Sequence, residues 1–145
     1  MHRGNMEKIL VAIDGRHGAW AALSHACSLA KRVQVDLNVL LVAPPSPGKG
    51  DDRDDGIGQA IRKRLELLLE TAKNEGIAIK YFITEGQYEE EVINFVTQHK
   101  VALLIHEARE REARLAAREV AALRALRHRL MCTMEIVAPI KNIPE

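Results

Sequence analysis

Aromatic side chains are scarce in this chain of 145 residues: one Trp, two Tyr and two Phe make up 3% of it. Its core must therefore rest on Ile, Leu, Val and Ala, and the stacking platforms that hold single-stranded nucleic acid are missing. Excess charge is missing too. Lys and Arg number 21 against 20 Asp and Glu, a formal net charge of +1. That balance gives no overall pull toward nucleic acid or an anionic membrane, and neither is expected as a partner. Two cysteines, Cys27 and Cys132, supply neither a disulfide framework nor a metal-ligand set, and both read as small buried residues. No apolar run approaches the ~18 residues of a membrane-spanning helix. The opening six residues contain no apolar h-region, so a secretory leader is not expected and a cytoplasmic location is. Glycine stops at Gly86, and none occurs from Gln87 to Glu145.

What is present suits one α/β domain over residues 1–145, with 1–6 flexible and 44–56 a loop. Hydrophobic residues make up 47% and charged residues 28%, enough for a core and an ordinary soluble surface. Lys8–Asp14 is a continuous apolar run that ends on an acid and a glycine, as in a strand covered on both faces. His17–Val33 carries Trp20, Leu23, Ala26, Cys27 and Ala30 at helical spacing, with Trp20 in the core or under a loop. Val35–Val42 reads as the second strand, and Pro44, Pro45, Pro47, Gly48 and Gly50 as a loop. Asp51, Asp52, Asp54 and Asp55 lack the spacing of a calcium loop and lead instead into a helix N-terminus. Ile57–Asn74 is that helix, with Gly76 as its C-terminal cap. Ile77–Thr84 is a third strand, followed by a short helix through Glu91, Val92, Phe95 and Val96. Val101–Ile105 is a fourth strand, Glu107–Leu130 one long helix and Thr133–Ala138 a fifth strand. This alternation predicts right-handed crossovers and a five-stranded parallel sheet with helices on both faces. In such a sheet ligands bind beyond the carboxyl ends of the strands, which is where Asp14 lies.

Ile9-Leu-Val-Ala-Ile-Asp-Gly15, Leu40-Leu-Val-Ala-Pro-Pro45, Glu85-Gly86, and Leu126-Arg-His128 with Cys132 and Glu135-Ile-Val137 follow one another in a telling order and spacing. On these segments the chain resembles the universal stress protein family over nearly its whole length. The resemblance implies a doubly wound, flavodoxin-like sheet of strand order 3-2-1-4-5, of the adenine nucleotide alpha hydrolase type. One branch of that family binds ATP. There the acid ending the first strand and a hydrophobic residue ending the second hold the nucleoside, positions that match Asp14 and Val42. The phosphates lie in a loop after the fourth strand with the pattern G-x2-G-x9-G-[S/T], because glycines let backbone amides approach them closely. Here His106, Arg109, Glu119 and Val120 stand at the four patterned positions. Side chains would fill the phosphate space and Glu119 would repel the phosphates, so ATP is not expected as a cofactor.

The segment that replaces the loop is expected to be extra helix. Glu107, Glu110 and Glu112 crowd its start and Arg124, Arg127, His128 and Arg129 its end, both favourable to the macrodipole. Glu107–Arg111 and Glu110–Arg114 would be i,i+4 pairs worth ~0.3–0.5 kcal/mol each. With the implied strand order, Asp14 and His106 flank one crevice and are expected to interact directly. No serine or cysteine falls at a matching strand end to complete a catalytic set, so no catalytic residue is expected. His2, His17, His25, His99 and His128 show no metal-ligand spacing, and no metal is expected. The expected function is that of a non-enzymatic universal-stress-type regulatory or protective protein that does not bind ATP in the usual mode. Three alternatives stand beside it. The first is an adenine-nucleotide switch using Asp14, Val42 and a rebuilt phosphate site at His106 and Arg109. The second is a small enzyme on Asp14 and His106, and the third an adaptor whose Arg-rich helix meets a protein partner. The resemblance also implies a homodimer through Thr133–Ala138, where pairing with a second copy would cover an exposed edge.

Overall fold

The computed structural model describes residues 7–15, 17–44, 52–108, 126, 128–130 and 132–137. Along the chain these form β1 (Glu7–Asp14), α1 (Trp20–Arg32), β2 (Val35–Ala43), α2 (Asp52–Asn74), β3 (Ile79–Glu85), α3 (Tyr88–His99), β4 (Leu103–Glu107) and β5 (Thr133–Val137). The strands make one parallel sheet in the order β3-β2-β1-β4-β5, the doubly wound arrangement expected.

Alternate residues of each strand feed the two faces of the sheet. Ile9, Val11 and Ile13 of β1 pack with Leu37, Val39 and Leu41 of β2 under Ala22, Leu23 and Ala26 of α1 and Leu65 of α2. Leu10, Ala12, Leu40, Val42 and Leu104 point the other way, under Val92, Phe95 and Val96 of α3 and under Leu126 and Leu130. β1 therefore has no polar face, which is why its sequence is apolar without a break. Each fully buried Leu, Ile or Val there contributes roughly 1.5–3 kcal/mol of transfer free energy. One polar side chain lies inside β2: Asn38 is buried, and its Nδ2 donates to the Asp36 carbonyl at 3.0 Å and the Ile9 carbonyl at 3.4 Å.

Helix ends follow their local chemistry. Lys31 and Arg32 occupy the last turn of α1, where cations suit the macrodipole. Gly76 ends α2 as expected: at φ 86° it lets its own N–H reach Lys73 O at 3.0 Å and that of Ile77 reach Ala72 O at 2.9 Å. Trp20 lies half-buried against the core with the Arg64 guanidinium 4.6 Å from its ring centre. Cys27 and Cys132 are half-buried free thiols, both pushed above the usual thiol range chiefly by burial.

Several boundaries differ from the sequence expectation, most by one or two residues. His17 belongs to the β1–α1 loop, since α1 starts at Trp20. α2 begins at Asp52, so the helix claims the end of the expected 44–56 loop. β3 runs Ile79–Glu85 where Ile77–Thr84 was expected, because Ile77 is spent closing the α2 cap. β4 is Leu103–Glu107 where Val101–Ile105 was expected. Its ladder with β5 pairs His106 with Ile136 and Glu107 with Val137, and Ala108 N–H donates to Val137 O at 2.8 Å. Pairing carries the strand two polar residues past its apolar run. Glu107 is consequently not helical, and the i,i+4 pair expected between it and Arg111 has no basis. Leu126, His128 and Arg129 are helical as expected, whereas Glu110–Arg114, Arg109, Glu119, Val120, Ala138 and residues 1–6 lie outside the described residues. Among the described residues no helix is long and apolar enough to cross a membrane.

Candidate functional site: the crevice at the ends of β1 and β4

Five strand ends meet at one rim of the sheet. At the end of β1, Asp14 pairs in register with Val42 of β2. The Asp14 backbone oxygen accepts from the N–H groups of His17 and Gly18, at 3.1 and 2.8 Å, which folds the β1–α1 loop back over the rim. That loop brings His17 Nδ1 to 3.3 Å from the Asp14 carboxylate. Gly15 donates its N–H to Val42 O at 2.8 Å, and a Cβ on it would lie 2.9 Å from that oxygen. Only glycine lets the two strand ends approach so closely.

His106 is buried near the end of β4, on the α3 face of the sheet. Its Nδ1 lies 3.0 Å from the hydroxyl of Tyr88, the first residue of α3. The same hydroxyl lies 3.4 Å from the Ala12 carbonyl of β1. A phenol has one proton and acceptor lone pairs, so it can accept from an Nδ1–H and donate to Ala12 at once. Asp14 and His106 were expected to meet directly; the contacts seen at the two residues include His17 on the acid and Tyr88 on the imidazole.

Glu107 follows His106 in the strand and points to the opposite face. Its Oε1 accepts the N–H of Ala22 at 2.9 Å. α1 has no side-chain cap of its own: Ala19 stands at its N-cap, and its first turn holds no acid. A carboxylate from 85 residues away supplies what Ser, Thr, Asp or Asn would ordinarily supply. Burial raises the Glu107 carboxyl above its ordinary value, and the N–H groups of Ala22 and Ala21 oppose that shift.

The contacts seen among the described residues of this rim are hydrogen bonds. Among the described residues no group of three His, Cys, Asp or Glu is placed to hold a metal ion. Both thiols are raised, which keeps them protonated and weakly nucleophilic. Of the expected site residues, Asp14, Val42 and His106 all lie on the α3 side of this rim, and Arg109 lies outside the described residues. Sequence reasoning missed Tyr88, His17 and the capping role of Glu107. The signal for the last was legible: a helix opening Gly-Ala-Trp-Ala-Ala has no capping side chain and needs one from elsewhere.

With this geometry in view, the chain matches the model of the universal stress protein family over residues 5–128. The chain belongs to that family. Universal stress proteins of solved structure share its architecture. UspA from Lactobacillus plantarum superposes with a TM-score of 0.68 at 17% identity, covering 93% of this chain and 99% of that one. A universal stress protein in complex with cAMP gives 0.61 at 17% identity, covering 93% and 98%. One from Arabidopsis thaliana with AMP bound gives 0.56 at 12% identity, covering 92% of each. At these identities the likeness is one of fold. No curated protein matches the chain significantly.

Proposed function

We propose that this universal stress protein is a non-enzymatic regulatory or protective protein of the cytoplasm that does not bind ATP in the family's usual mode. The supporting observation is what stands at the end of β4, where the ATP-binding branch opens its phosphate loop with glycine. There a buried imidazole is tied to Tyr88 at 3.0 Å, and the next residue places a carboxylate on the first amides of α1. Phosphate oxygens need approachable N–H groups and no neighbouring anion. This strand end offers a filled face on one side and a negative charge on the other. Calorimetry with ATP and Mg²⁺ tests the reading: no heat of binding is expected up to millimolar nucleotide, and tight stoichiometric binding would overturn it.

A second reading, an adenine-nucleotide switch, draws on Asp14 and Val42 keeping their strand-end positions and on the cAMP and AMP held by two structurally similar proteins. It would require Arg109 and its neighbours to rebuild a phosphate site. The small-enzyme reading on Asp14 and His106 is weaker, because no serine or cysteine falls at a matching strand end to serve as nucleophile. Homodimerisation through β5 is part of the proposal. So is a protein partner at the Arg-rich segment, which charge reversal at Arg111, Arg114 and Arg118 would disrupt.

A further inference from the structure

His106 and Glu107 are consecutive residues of one strand, and each ties that strand to the first turn of a different helix. On one face the His106 ring holds the hydroxyl of Tyr88, residue one of α3. On the other the Glu107 carboxylate holds the N–H of Ala22 in the first turn of α1. Neither helix has a side-chain cap of its own at its N-terminus. Because side chains alternate along a strand, a twist of the β4 end that lets His106 follow a new partner swings Glu107 the opposite way.

We propose that the end of β4 is a two-sided coupling element, in which a ligand that takes the Tyr88 hydroxyl or the His106 ring as its hydrogen-bond partner loosens the Glu107 cap of α1. The coupling is built from two hydrogen bonds and one rigid peptide, so it works without any change of fold. It also reaches further. α1 carries His25, whose Nε2 lies 3.0 Å from Glu135 of β5, so a shift of this helix is felt at the edge strand. The device is independent of which ligand enters the crevice and does not rest on the nucleotide reading.

Amide hydrogen exchange of Ala21 and Ala22 in the full chain, without nucleotide, tests it. Tyr88→Phe removes only the hydroxyl, and exchange at Ala22 is expected to quicken roughly fivefold or more, the size of a modest allosteric coupling. Glu107→Ala removes the cap directly and sets the upper limit. Thr84→Val is the control: it breaks the 2.8 Å bond from Thr84 to Glu91 in the first turn of α3 without touching β4. Exchange at Ala22 should then stay at the wild-type rate. The proposal is overturned if Tyr88→Phe leaves that rate within twofold of wild type, or if Thr84→Val speeds it equally. Should Tyr88→Phe not fold, reciprocity supplies the other arm: Glu107→Gln must shift the ¹⁵N resonances of the His106 ring, and unchanged resonances refute the coupling.

Discussion

Replacing Glu107 by alanine separates what its carboxylate does for α1 from what its burial costs. The side chain accepts from Ala22 at 2.9 Å and caps a helix that has no other capping group. Loss of an N-cap acceptor costs about 0.5–2 kcal/mol. Against this stands relief of the desolvation that raises the Glu107 carboxyl. Glu107→Ala should therefore destabilise by roughly 1 kcal/mol net, or about 3–5 °C in Tm for a chain of this size. Glu107→Gln keeps an acceptor oxygen and removes the buried charge, so at pH 7 it should cost clearly less than alanine. The pH dependence has a definite sign. A carboxyl raised in the folded state above its ordinary 4.5 binds protons more tightly there than in the unfolded chain. Its contribution to stability is full below that ordinary value and is lost as pH rises through the raised one. Wild type should gain on Glu107→Gln as pH falls from 7 toward 4. Urea unfolding at the two pH values measures the gap. A capping role for Glu107 is refuted if alanine is within about 0.3 kcal/mol of wild type, if glutamine costs as much as alanine, or if the gap moves the other way.

Two further outcomes can be checked on the same protein. Gly15→Ala would bring a Cβ to 2.9 Å from Val42 O and 3.2 Å from the Ala43 Cα, both backbone atoms that cannot rotate away. A loss of about 1–3 kcal/mol in thermal unfolding is expected, and a neutral result would show that the strand ends yield. Light scattering at micromolar concentration should find a homodimer that Ile136→Asp, on the exposed edge of β5, converts to monomer. A monomeric wild type would refute the β5 interface.

The sheet was legible because its central strand has no choice. A run such as Ile9-Leu-Val-Ala-Ile13 can be buried on both faces only inside a covered parallel sheet, and that is where it lies. Apolar pattern placed strands to within a residue or two wherever the strand stops when its hydrophobic residues stop. It failed at β4, because a backbone ladder has no interest in side-chain polarity. Pairing with β5 extends the strand through His106 and Glu107, and the cost of placing polar groups there is met by Tyr88 and by α1. Those partners lie 18 and 85 residues away in sequence. No local pattern encodes such a pairing; only the topology brings it about.

The same two positions then govern what the crevice can become. A phosphate cradle after a parallel strand needs the chain to leave the sheet early, on residues without side chains, so that amides turn toward the ligand. Here β4 runs through Glu107, and its last two residues carry a ring and a carboxylate bound to helices on either side. On the proposed reading, a cradle at this strand end would take more than adding glycines. Glycine at His106 would leave the Tyr88 hydroxyl without its ring partner, and glycine at Glu107 would uncap α1. Each change weakens a helix before any nucleotide arrives to offset the loss. Asp14 and Val42 pair at the ends of β1 and β2, while β4 beside them is tied to a helix on each face.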